Sequence, residues 1–127
     1  MWITIHRLGA ASLVILVAAQ AVIAGQHIFG DWGIGVHAAL GNAAFTIAVL
    51  VAAVSWWKLD SAPLRIVALA IVVLVSAQIG LGYSTRDSEN AAALHIPLGV
   101  VVFGAVVYQF LAAWPTLIAQ RSRAVGQ

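Results

Sequence analysis

With 127 residues, 63% of them hydrophobic and 8% charged, the chain is too apolar for a water-soluble domain. The absence of cysteine excludes disulfides, thiolate metal ligands, covalently attached c-type haem and a cysteine nucleophile. The net charge of +2 and the pI near 9.7 come from basic residues scattered at the ends of apolar runs, which form no basic face for nucleic acid.

A hydrocarbon core of about 30 Å is crossed by about 20 apolar residues in a helix, and four runs meet that requirement. The first is expected from about Ile3 to Gly25. Arg7 ahead of an apolar run, with the small residues Val22 and Ala24, imitates a secretory signal, but the segment has a counterpart later in the chain and is read as a span. After the loop "GQHIFGDWG" the second span is expected from about Gly35 to Trp57. The turn "KLDSAP" follows, with Asp60 or Ser61 placed to cap the third span and Pro63 in its first turn, where a missing N–H costs nothing. That span continues to about Tyr83. The loop "STRDSEN" leads to a fourth span from about Ala92 to Leu111, extending toward Trp114, with Pro115 ending or bending it. The expected fold is therefore an all-α integral membrane protein, an up-down-up-down four-helix transmembrane bundle forming one domain over residues 1–127.

Arg7, Lys58, Arg65, Arg121 and Arg123 fall on the side shared by both termini and the central turn, whereas the other side has Arg86 against Asp31, Asp87 and Glu89. Basic residues favour the cytoplasmic side, so both termini are expected there, in a bacterial inner membrane. Trp56, Trp57 and Trp114 then lie at the inner interface, where amphipathic rings settle.

Sliding the sequence by 58 positions superposes its halves, about 8–57 on about 66–115, without a gap. Gln20 meets Gln78, His37 meets His95, Leu40 meets Leu98, Gly41 meets Gly99, Phe45 meets Phe103, Val49 meets Val107 and Trp56 meets Trp114. Gln, His, Gly, Phe and Trp are scarce enough for their joint alignment to indicate a duplicated helical hairpin, its copies related by a pseudo-twofold axis along the membrane normal. The second and fourth helices then stand diagonally opposite, with His37 and His95 at one depth near the outer end.

Two neutral imidazoles facing across a bundle axis suit the two axial positions of a haem iron. Gly41 and Gly99, one helical turn on, leave room beside a flat ring. Phe45 and Phe103, a further turn along, would pack against its edge. Gln20 and Gln78 lie near that depth, within reach of a ligand's ring N–H or a propionate, and Arg86 and His27 would meet propionates at the surface. The competing reading is structural: a histidine near a membrane helix end commonly bonds a neighbouring helix, and glycine commonly marks close packing. His6 is expected to be a headgroup contact, and Asn42 and Thr46 are expected to hydrogen-bond within the bundle. Asp31, Asp87 and Glu89 read as solvated loop charges, and no carboxylate lies within a span, which argues against a proton-driven transporter.

The stretch "AQIGLGYSTRDSENAAALHIPLG" resembles the haem A synthase family, whose eight-helix members consist of two four-helix halves. In that family a helix carrying Gln and Leu-Gly leads through an outer loop with Arg to a helix opened by a histidine, and a b-type haem occupies one histidine pair. The resemblance implies His37 and His95 as axial ligands. Val36 and Ala38 flank the first histidine, and Leu94 and Ile96 the second, where the family's catalytic half has an acidic residue before its histidine and commonly an arginine after it; this implies haem holding without haem oxidation. The chain is also similar to small four-helix bacterial membrane proteins with a histidine opening each even helix.

The leading expectation is a b-type cytochrome holding one haem b between His37 and His95, exchanging electrons with a redox protein or quinone and without independent catalytic activity. The alternative is a haem-free accessory subunit packed in a larger respiratory or photosynthetic complex.

Overall fold

Backbone in hydrocarbon must satisfy its own hydrogen bonds, and the helix is the form in which a single run can do so. The computed structural model has α1 (Trp2–Phe29), α2 (Ile34–Lys58), α3 (Ala62–Ser84) and α4 (Glu89–Ala112). The structure describes residues 1–29, 34–85 and 87–114, without the side chains of 27–29. Asp31, Arg86, Pro115, Arg121, Arg123 and the His27 side chain therefore lie outside the described residues.

Two helices are longer at the histidine-pair end than the apolar runs alone predict. α4 starts at Glu89 rather than near Ala92 because Ser88 caps it: its backbone is extended and its hydroxyl accepts from the Ala91 N–H at 3.3 Å. Glu89 then lies in the first turn, beside the positive end of the helix dipole. α1 continues to Phe29, since nothing in Gln26-His27-Ile28 stops a helix. At α3, Ser61 is the capping position but its hydroxyl makes no cap bond; Pro63 occupies the first turn as expected. Pro97 sits inside α4, on an exposed face.

Each helix packs on its two neighbours, α1 on α2, α2 on α3, α3 on α4 and α4 on α1, so α2 and α4 stand diagonally across the axis. The centre is built from Leu13, Ala44, Ala48, Val51, Ala68, Ile71, Val75, Val102 and Val106. Alanine at many of these positions lets backbones approach, as membrane helices require when packing rather than hydrophobicity holds them together. The closest approach is at Gly9, where a Cβ would stand 2.5 Å from Val51 Cγ2.

The outward faces carry large apolar side chains, among them Ile15 at 68% exposure and Val100 at 70%. All four helices are long and apolar enough to span a bilayer, and water would not tolerate so continuous an apolar surface. This is a multi-pass membrane protein whose solvent is lipid. Asn42 and Thr46 are exposed on α2 rather than turned into the bundle, and Thr46 returns its hydroxyl proton to the Asn42 carbonyl one turn back at 3.0 Å. The bond is local because an outward hydroxyl in hydrocarbon has only its own helix as partner.

Candidate functional site

His37 lies in the first turn of α2 and His95 in the second turn of α4. Although these helices are diagonal, their imidazoles meet across the axis, with ring centroids 6.2 Å apart and planes at 64°. Both residues are half-buried.

One glutamine straps each histidine's backbone. Gln20 on α1 donates from Nε2 to the His37 carbonyl at 2.9 Å, and Gln78 on α3 donates to the His95 carbonyl, also at 2.9 Å. The strap crosses the glycine one turn further along: a Cβ at Gly41 would lie 3.0 Å from Gln20 Nε2, and one at Gly99 would lie 3.2 Å from Gln78 Nε2. These glycines thus make room for a glutamine amide, a more local role than clearance for a flat ring. Gln78 Nε2 is also 3.3 Å from His95 Nε2. The Oε1 atoms of both glutamines and His95 Nδ1 are buried with no hydrogen-bond partner among the described residues. The two glutamine oxygens are acceptors, while Nδ1, opposite an Nε2 that accepts from Gln78, is a donor; buried polar atoms left over at one level of a bundle carry a desolvation cost that a ligand can relieve.

Phe45 is half-buried and packs on the central apolar cluster, whereas Phe103 is 41% exposed; the two aromatics occupy unlike surroundings. Gly82, in the last turns of α3, is a site residue that sequence reasoning did not single out. Its Cβ would lie 3.1 Å from His95 Cε1, so the imidazole of α4 rests against bare α3 backbone. Its signal was hidden because the residue 58 positions earlier is Ala24.

The other end of the bundle differs from expectation more sharply. His6 is fully buried rather than in contact with headgroups. It joins all four helices: Ser55 Oγ of α2 lies 3.0 Å from its Nδ1, and Gln109 Nε2 of α4 lies 3.2 Å from its Nε2 and 3.3 Å from the Leu64 carbonyl of α3. The proton positions follow by elimination. Ser55 gives its one proton to the Val51 carbonyl at 2.7 Å, so it accepts from an Nδ1–H of His6. Nε2 then accepts from one Gln109 N–H, and the other goes to Leu64. His6 is neutral with both nitrogens engaged. The missed signal was periodicity: His6, Ala10, Leu13 in α1, Ala44, Ala48, Val51, Ser55 in α2 and Val102, Val106, Gln109 in α4 continue single buried faces at helical spacing.

No family model, curated protein or solved structure matches the chain. Function is therefore read from the site itself. Among the described residues no group of three or more His, Cys, Asp or Glu side chains is placed to hold a metal ion. A histidine pair alone suits a metal whose remaining ligands are not protein, which is the situation of iron in a porphyrin.

Proposed function

We propose that the protein is a small membrane b-type cytochrome that holds one haem b between His37 and His95, for electron transfer or haem carriage. The observation that carries this reading is the 6.2 Å separation of the two ring centroids. A direct imidazole hydrogen bond, with nitrogens about 2.9 Å apart, would bring the centroids to about 5 Å. Two metal–imidazole bonds of about 2 Å, with each ring centre ~1 Å behind its nitrogen, require about 6 Å. Edge-on ring pairs also occur at this spacing, so the deciding test must detect the metal.

The rest of the chain supports a holding role. Gln20 and Gln78 fix the carbonyls of the two histidine residues and thereby the helical turns that aim the rings. Gln78 Nε2 donates to His95 Nε2 at 3.3 Å, so the lone pair that a metal would take lies on Nε2, and the buried Nδ1 carries the ring proton. His37 and His95 would hold the haem, which would supply a one-electron Fe(III)/Fe(II) couple; with both imidazoles engaged as ligands, oxygen chemistry would be disfavoured. The equivalent straps 58 residues apart support descent from a duplicated hairpin with a pseudo-twofold axis along the membrane normal. The charge distribution supports cytoplasmic termini, which puts the histidine pair near the outer surface and a redox protein or quinone within reach as partner.

Protein purified in detergent after expression with adequate haem supply is expected to show a Soret band that shifts on reduction. His37→Ala and His95→Ala each remove or reshape it, whereas His6→Leu, which introduces the residue found at position 64, retains it. A colourless wild-type preparation of normal helicity would overturn the proposal in favour of a haem-free accessory subunit.

A further inference from the structure

A groove of about 280 Å³ runs along the lipid-facing seam of α2 and α3 at the basic end, with Val49, Ala52, Ala53 and Trp56 on one wall and Arg65 and Leu69 on the other. From Val49 to Trp56 it follows about 10 Å of helix, parallel to the acyl chains of a bilayer. Its lining is apolar except for Arg65.

The equivalent seam between α4 and α1 carries larger side chains. Phe110 and Leu111 stand there, 58 positions after Ala52 and Ala53. The Phe110 ring packs edge-on against Trp114 at 6.0 Å, and Trp114 in turn lies under the Arg7 guanidinium at 4.6 Å. That seam thus gives its arginine a π face. The α2–α3 seam has alanine at both positions and an arginine at the equivalent place.

Arg65 is held at the groove rather than consumed by the protein. Its Nε donates to the Ser55 carbonyl at 3.3 Å and its Nη2 donates to the Leu59 carbonyl, with the exposed Asp60 carboxylate 3.7 Å away. Nη1 has no hydrogen-bond partner among the described residues, and the side chain is one-third exposed. The described charges at this end are Arg7, Lys58 and Arg65 against Asp60, a balance that favours an anion at the depth of Trp56 and Trp57.

We propose that the α2–α3 seam binds one anionic phospholipid, its chain in the groove over Ala52 and Ala53 and its phosphate on Arg65. This site is at the opposite end of the bundle from the histidine pair and stands independently of haem binding.

Native mass spectrometry of protein extracted from vesicles of equal phosphatidylglycerol and phosphatidylcholine tests it. One phosphatidylglycerol is expected per chain, favoured about fivefold over phosphatidylcholine, the preference that one basic residue near an anionic surface confers. Arg65→Gln abolishes the preference, Ala52→Phe removes retention with Arg65 in place, and Arg7→Gln leaves both unchanged. Ala52→Phe installs the side chain that the other seam already accommodates, so it is expected to fold. The proposal is overturned if the wild type retains no lipid or both lipids equally, if Ala52→Phe retains as much as wild type, or if Arg7→Gln loses the preference as fully as Arg65→Gln.

Discussion

At the scale of single residues, the site depends as much on missing side chains as on those present. Gly82 allows the His95 imidazole to lie against α3, where a Cβ would stand 3.1 Å from Cε1, while a Cβ at Gly80 would meet nothing within 4 Å. Gly82→Ala is therefore expected to push the imidazole by a few tenths of an ångström. We expect lower haem occupancy and a shifted reduction potential at unchanged helicity, with Gly80→Ala matching wild type in both; absorption spectra during a redox titration check this. His37, His95, Gln20 and Gln78 were legible as a set because scarce residues aligned at one offset. Gly82 was not, since an asymmetric contact leaves no trace in a repeat. The purpose of Gly41 and Gly99 was legible only in part: their spacing marked a needed gap, and only the fold shows the glutamine amides that occupy it.

At the scale of helices, existence and order were readable because a span announces itself by length and hydropathy, whereas ends and faces were less so. Ser88 and Glu89 carry a capping signal inside a stretch whose polarity reads as loop, and α4 begins three residues early as a result. The faces were obscured because each helix is apolar around its whole circumference, so the buried stripe does not stand out from the lipid-facing one. That is how His6, Ser55 and Gln109 escaped notice as one network. Their counterparts 58 positions away, Leu64, Ala113 and Val51, are all apolar, and the polar members meet at one point. Removing one partner strands buried groups, whereas removing both need not. His6→Leu or Gln109→Val alone is expected to cost about 1–3 kcal/mol, and the double variant is expected to lose less than the sum of the two. Unfolding by denaturing detergent, followed by circular dichroism, measures the cycle; strict additivity would show that His6 and Gln109 do not act together.

At the scale of the whole molecule, four antiparallel helices return the chain to the side on which it started, so α1 begins and α4 ends at one end of the bundle. That end carries Arg7, Lys58 and Arg65 together with Trp2, Trp56, Trp57 and Trp114. By the bias of basic residues it is expected to face the cytoplasm; reporters fused to the two termini should both register the cytoplasmic side, and a periplasmic signal from both would invert the orientation. The bundle is thus polarised, with a neutral hydrogen-bonded hub at the basic end, a narrow alanine-rich middle and an imidazole pair at the far end. The short turn 59–61 between α2 and α3 divides the imidazole pair evenly, since each hairpin contributes one of its two rings. On the proposed haem reading, neither fragment of a chain severed at that turn would furnish both ligands, so pigmentation would arise only on reunion of the fragments, and colour itself would serve as a gauge of assembly.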